Sequence, residues 1–349
     1  MSRGHSWRSS SPRGNSPPRV RPDRVATPDH ELGALLFCRH GALYRAVISD
    51  DELFALDEFA LLGENSAQAG ITGPLPPVHR LERGPISALR WGTEQPRVVF
   101  LHGGGQNAHT WDTVILGLGL PALAIDLPGH GRSAWREDGD YGPKLNAATV
   151  EPVIRELAPD ADLMVGMSLG GLTALRLAVT APDLVRTLVM VDVTPSAPER
   201  HEQMTKAQMG AVALVEGDRS FPSFAAMVDV TVAASPQRSR ESLRRGVFHN
   251  SKELPDGTWT WRYDTFRKGD GFAGLWDDAA ELTVPTALVR GANSFFVNDD
   301  DAAEFARIAP GFQRVIVVPD SGHSVQGDQP QALVEILRPL LQFNRPLDR

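Results

Sequence analysis

The chain has one cysteine in 349 residues, Cys38. That excludes an internal disulfide, and a lone thiol reads first as a packed core side chain. It has no long apolar run. The longest, Val114 to Ile125, is interrupted by Gly117, Gly119 and Pro121 and is too short to span a bilayer. It has no internal repeat, and no low-complexity tract beyond its first residues. Positive charge is in excess in one segment only. Residues 1–28 hold six arginines against one acid, Asp23, a net +5, so the formal −8 of the whole leaves −13 for the rest. An acidic body gives no reason to expect nucleic acid as a partner.

Those first 28 residues are rich in Ser, Arg and Pro and lack an apolar segment. They are expected to be a solvated, disordered arm rather than a signal peptide or a folded element. They are either a tail or residues ahead of the true start. The expected location is cytoplasmic, without stable membrane insertion.

What is present is the pattern of a large α/β domain. Residues 29–77 read as a helical extension and linker. Asp50 and Asp51 are its cap candidates, Gly63 is a plausible stop, and Thr72 to Pro77 forms the linker. A hairpin is expected around Gly84-Pro85. Apolar runs follow at Arg97 to Leu101, Leu123 to Asp126, Leu163 to Val165, Leu184 to Val191, Thr286 to Val289 and Arg314 to Val318. Helical stretches separate most of them: Leu145 to Ala158, Leu172 to Val179, Asp300 to Ile308 and Pro330 to Leu341. Strands alternating with helices imply a mostly parallel, doubly wound sheet. Residues 78–194 and 283–349 are assigned to that core. Residues 195–282 are too long for a loop and carry helical stretches at Glu202 to Val215, Phe221 to Ala234 and Glu241 to Gly246. They read as a helical cap inserted after the sixth strand.

The chemistry-bearing pattern is Gly166-Met167-Ser168-Leu169-Gly170-Gly171, entered from an apolar strand and left through a helix. This is the form of a nucleophile elbow, a turn that lifts a serine hydroxyl above the carboxyl edge of a sheet. Four more segments end strands. His102-Gly103-Gly104-Gly105-Gln106 can turn a backbone N–H toward a developing oxyanion. Gly104 is the first choice and Gly105 the second, and the N–H of Leu169 is the partner donor. Asp126 to Ser133 (DLPGHGRS) reads as a structural brace, and His130 is not taken as a base. Asp320-Ser321-Gly322-His323 follows the last strand, and His323 is the candidate general base. Val191-Asp192-Val193 closes the sixth strand.

HGGGQ, DLPGHGRS, GMSLGG and SGHS arrive in an order and spacing that resemble an α/β-hydrolase-fold protein of the capped, lipase/esterase-like type. The likeness runs from about Val78 to the C-terminus. It implies hydrolysis by a Ser–His–acid triad with no metal and no organic cofactor. Serine at 168 argues against the dehalogenase and epoxide-hydrolase branches. The acid departs from the family pattern, whose usual position after the seventh strand is Ser294 here. Asp192 is the preferred substitute. Asp299, Asp300 and Asp301 are rivals that look like the cap and first turn of a helix.

The expected reaction is cleavage of a carboxylic ester, or a related acyl bond, of a small and apolar substrate through an acyl-enzyme. Gly105, Trp259 and Trp261 are assigned to substrate binding. The cap aromatics, with Tyr263, Phe266, Phe272 and Trp276, line a pocket or form the cap's own core. His249-Asn250 could face substrate, but reads first as half-buried polar packing. A C–C bond hydrolase of diketone type, a cofactor-free perhydrolase and a slow-turnover ligand sensor remain open. Activity on vinylogous diketones marks the first, and ligand-induced thermal shift without turnover marks the sensor.

Overall fold

The computed structural model describes residues 53–266 and 270–342. The arm, residues 29–52 of the expected helical extension, Asp50, Asp51 and Cys38 lie outside those residues.

The sheet has eight strands in the order β1-β2-β4-β3-β5-β6-β9-β10. The hairpin β1 (Val78–Arg83) and β2 (Ile86–Trp91) is antiparallel, and β2 runs antiparallel to β4 (Ala122–Asp126). The other pairs are parallel: β3 (Val98–Leu101), β5 (Leu163–Met167), β6 (Leu188–Val191), β9 (Thr286–Gly291) and β10 (Phe312–Val318). Every residue of β3, β5 and β6 is buried, as expected of strands covered on both faces. Along β3 the side chains alternate between two layers. Val99 and Leu101 pack with α3 (Pro143–Leu157) and α4 (Leu169–Thr180). Val98 and Phe100 pack with α2 (Asp112–Leu118) and the C-terminal α12 (Pro330–Gln342). Each fully buried Leu, Val or Phe contributes about 1.5–3 kcal/mol, which fixes the register and with it the strand ends.

Two N-terminal features differ from expectation. Gly63 does not stop a helix; it is the second residue of α1 (Leu62–Gln68), which packs on α2. The preceding residues act as a strap. Phe54 sits against Phe224, Phe248 and Trp259 of the inserted segment, and Glu58 is bonded to Arg80 and Arg132 of the core.

The insertion after β6 contains α5 (Ala197–Gln203), α6 (Lys206–Met209), a 3₁₀ turn at Gly210–Glu216, α7 (Phe224–Ala234) and α8 (Arg240–Asn250). The single helix expected over 202–215 is therefore broken. Thr205 makes a capping box with Gln208, and Gly210 has a positive φ of 56°, so local chemistry interrupts a segment that buries no side chain. The turn that the sequence suggests at Asp256-Gly257, leading into Trp259 to Tyr263, is the tip of a two-stranded hairpin, β7 (Ser251–Glu253) and β8 (Trp259–Trp261), whose pairing was not expected. The boundary also moves. Helix α9 (Leu275–Glu281) packs on α4, and Leu275, Ala279 and Leu282 belong to the sheet's hydrophobic layer, so the inserted unit ends before residue 275 rather than at 282. Helix α10 (Asp299–Ile308) and the short α11 (Val325–Asp328) complete the core. Among the described residues, no helix is long and apolar enough to cross a membrane.

Candidate active site

Parallel strands that are neighbours in the sheet deliver their following loops to one edge. Ser168 follows β5, Asp192 follows β6 and His323 follows β10. The Ser168 N–H donates to the Val191 carbonyl and the Asp192 N–H to the Val289 carbonyl, which locks the two turns side by side.

Ser168 has φ 50° and ψ −119°, a conformation that a non-glycine residue adopts only when its surroundings impose it. The surroundings are tight. A Cβ on Gly166 would lie 2.3 Å from the Gly170 carbonyl oxygen, and one on Gly170 would lie 2.3 Å from that of Leu101. Only glycine at both places lets strand, turn and helix approach this closely. Helix α4 begins at Leu169, so its first N–H groups have no intrahelical partner and its positive dipole end faces the turn.

His323 is the centre of the polar cluster. Its Nδ1 donates to Asp192 Oδ2 at 2.7 Å, its ring stacks on Phe296 at 3.7 Å, and its Nε2 is buried without a partner. With the proton on Nδ1, the lone pair of Nε2 is free to accept one. Asp192 is fully buried and has φ 52°. Its Oδ1 accepts from the Gly291 N–H at 2.9 Å, and its Oδ2 also accepts from the Ser294 hydroxyl. Ser294 stands where the family places its acid. Its hydroxyl reaches across to the carboxylate that comes from the neighbouring strand. The three rivals are placed elsewhere: Asp299 pairs with Arg290, Asp301 accepts the N–H of the cap residue Asn298 and bonds Arg200 at 2.8 Å, and Asp300 lies in the first turn of α10.

The glycine loop lies against the serine. A Cβ on Gly103 would meet Met167 Sδ at 2.4 Å and Ser168 Cβ at 3.3 Å. The Gly103 N–H is already given to Gln106 Oε1 at 3.2 Å, which leaves Gly104 and Gly105 to line the adjoining cavity. Gly105, with φ +70°, lies under Val215 and Tyr263, and its carbonyl accepts from Asn250 Nδ2 at 2.5 Å. Asn250 thus ties the insertion to the loop. The sequence reading of His249-Asn250 as half-buried polar packing did not identify this partner, 145 residues away in the chain.

The other loop histidines are braces. His102 donates from Nδ1 to the Gly103 carbonyl at 2.7 Å and accepts the Leu127 N–H at 2.9 Å, joining two strand ends. His130 is fully buried, its Nδ1 on the Pro128 carbonyl, against Tyr141 and Phe266. Burial, then the neighbouring His102, pulls it down to about 3, so it stays neutral.

A cavity of about 150 Å³ lies between the glycine loop and the insertion. It has room for a benzene-sized group. Trp261 and Tyr263 line it with Val212, Leu214 and Val247. Trp259 does not; it packs against Phe54 and Phe224 in the insertion's own core. Phe266 lies 3.7 Å from the Cβ position of Gly104, Trp276 packs on the sheet layer, and Phe272 is exposed.

Among the described residues, His109, Asp112 and His249 offer ligand-type atoms within 4.8 Å of one another. They suit a metal poorly. His109 Nδ1 is committed to Asp112 at 2.8 Å, and the two rings stack 3.7 Å apart at 11°. Parallel stacked rings direct their lone pairs side by side, whereas chelation needs them to converge. Arg80, Arg132 and Arg245 add positive charge around His249.

The fold agrees with the comparisons to known proteins. The profile of the alpha/beta hydrolase family matches residues 98–336. The chain belongs to that family. It is 64% identical over 295 residues to the esterase Rv0045c of Mycobacterium tuberculosis, covering 84% of this chain and 99% of that protein. A solved structure of that esterase, from work on its transition metal inhibition, superposes with a TM-score of 0.76 at 65% identity, covering 82% of this chain and 99% of the other. An sn-1-specific diacylglycerol lipase of Mus musculus is 28% identical over 255 residues, covering 70% of this chain and 81% of the lipase.

Proposed function

We propose that this chain is a serine esterase acting on small esters through an acyl-enzyme. Ser168 is the nucleophile, His323 the general base and acid, and Asp192 the carboxylate that holds the histidine. His323 Nε2 takes the Ser168 proton as Oγ attacks the ester carbonyl. The N–H groups of Gly104 and Leu169 stabilise the oxyanion. His323 then returns the proton to the departing alcohol, and water, deprotonated by the same nitrogen, releases the acid. Residues 195–274 are the cap. Gly105 and Trp261 bound the acyl site, and the 150 Å³ cavity favours short chains. Trp259 is withdrawn from the substrate-binding set.

The observation that carries this reading is the 2.7 Å bond from His323 to the buried Asp192, with Nε2 left open on the edge that holds the strained Ser168. The 64% identity to an esterase supports ester cleavage over the C–C hydrolase and sensor readings. The acidic body supports a small-molecule substrate without nucleic acid, and a cytoplasmic location belongs to the same proposal. Steady-state hydrolysis of p-nitrophenyl acetate through decanoate tests it. Activity should peak at short chains and fall by at least about 10⁴-fold in Ser168→Ala. A Ser168→Ala protein as active as wild type would remove the reading.

A further inference from the structure

One cation on the cavity wall has no role in the reaction above. Arg238, between α7 and α8, lines the cavity together with Ser324, the neighbour of His323. A guanidinium offers five N–H donors, and this side chain keeps only 21% of its surface exposed, so most of them need partners in the protein. Among the described residues a single acceptor is found, Ser242 Oγ at 2.9 Å. Nε is buried without a hydrogen-bond partner. The counter-charge is remote: Asp328 Oδ1 stands 3.8 Å from Nε, beyond hydrogen-bond reach, and its Oδ2 is engaged by the Gly322 N–H at 2.8 Å. Burial acts against the charge, Asp328 offsets it in part, and Arg245 adds repulsion.

The seat of this side chain is also shaped for it. A Cβ on Gly327 would lie 2.7 Å from Arg238 Cζ, so glycine at 327 lets the guanidinium lie flat against α11. The rest of the cavity is mostly apolar from the cap side, with Ala211, Val212, Leu214 and Val247. The site therefore combines an apolar sleeve with one under-bonded cation near the histidine loop. Such a group can hold a carboxylate with two parallel hydrogen bonds.

We propose that Arg238 is a specificity-determining residue that binds a carboxylate on the acyl chain, so that the preferred substrates are monoesters of short dicarboxylic acids. The inference rests on the esterase reading and adds the charge of the substrate to it. Hydrolysis would then release a dicarboxylate and a neutral alcohol.

The test compares ethyl hydrogen succinate with ethyl 4-oxopentanoate, in which a methyl group replaces the carboxylate oxygen, by proton release. Wild type should favour the anionic ester in kcat/KM by about 10-fold or more, as expected of a charge-assisted hydrogen bond. Arg238→Gln should lose that preference while still turning over the neutral ester. Arg238→Lys should keep part of it, because the charge stays and the fork is lost. A wild type with equal kcat/KM on both esters overturns the proposal, whether or not the variants fold. So does an Arg238→Gln protein in which both esters fall by the same factor, the result expected if Arg238 only ties the cap to the histidine loop through Asp328. If wild type hydrolyses neither ester nor p-nitrophenyl acetate, it is the esterase reading that fails.

Discussion

The carboxyl edge of the sheet and the segment inserted after β6 are held by different means. At the edge, backbone geometry prescribes side-chain position. Ser168 and Asp192 both sit at positive φ, their N–H groups are bonded to neighbouring strands, and the Asp192 carboxylate is met by a ring nitrogen, an amide and a hydroxyl. The inserted segment relies on side chains. Its hydrophobic cluster is built from Phe221, Phe224, Met227 and Trp261, and it borrows Leu53, Phe54 and Leu61 from the strap. Its first helices bury no residue at all. A few polar ties join it to the core, among them Asn250 to the Gly105 carbonyl and Arg245 to Glu64. The difference separates two tasks. Chemistry needs atoms fixed to a fraction of an ångström, which a sheet edge supplies. Selection needs a wall whose residues can change without disturbing that edge.

Replacing Trp259 with alanine probes the comparison most severely. It removes the partner of Phe54 and Phe224 and should lower stability by about 3 kcal/mol, read in thermal unfolding. Residual folded protein should keep its kcat. Trp261→Ala, which belongs to the same cluster but also lines the cavity, should lower stability as well and in addition alter KM and chain-length preference. If Trp259→Ala changes chain-length preference as strongly as Trp261→Ala, the assignment of the two tryptophans is reversed.

At the edge, Ser294→Ala removes one hydrogen bond to the Asp192 carboxylate. We expect kcat/KM to fall by about 10-fold with KM little changed, in line with a bond to a charged group. Unchanged kinetics would mean that Gly291 and His323 suffice to hold the acid.

A smaller effect is expected from acid. His130 is held near 3 in the fold, below its ordinary 6.5, so the unfolded chain binds the extra proton first. Its contribution is complete above about 6.5 and is lost as pH falls toward 3, about 1 kcal/mol by pH 5.5. Burial raises Glu58, but His109, Arg80 and Arg132 outweigh it and bring it to about 2; this contribution fades only below 4.5. Melting curves of wild type and His130→Phe between pH 7.5 and 5 separate the two. The variant should show the flatter dependence, and equal slopes would contradict the assignment to His130.

Much of the edge could be read in the sequence, because continuous apolar runs mark doubly covered strands and glycine marks the turns between them. Strands β3 to β6 and β9 fall where the runs were, and Gly166, Ser168 and Gly170 reveal the elbow by their spacing. The end of β6 was less legible. Choosing Asp192 over Asp299 to Asp301 depends on how β6 pairs with β9, and no local pattern encodes a tertiary register. The Ser294 hydroxyl was hidden for the same reason, since its partner lies 102 residues away. The segment after β6 was legible as an insertion and poorly legible inside. Exposed segments such as 197–216 carry little hydrophobic periodicity, so the capping box at Thr205 and the turn at Gly210 decide where helices break. Trp259 and Trp261 are two residues apart on one short strand. Only the packed structure separates the one against Phe54 from the one at the cavity.

The most direct test of the central claim is hydrolysis of p-nitrophenyl butanoate by wild type, Asp192→Asn and Asp300→Asn, with thermal unfolding to show that each is folded. If Asp192 holds His323 in its working tautomer, Asp192→Asn should lose about 10⁴-fold in kcat while Asp300→Asn matches wild type. A folded Asp192→Asn protein with wild-type kcat, or an inactive Asp300→Asn, would contradict the account.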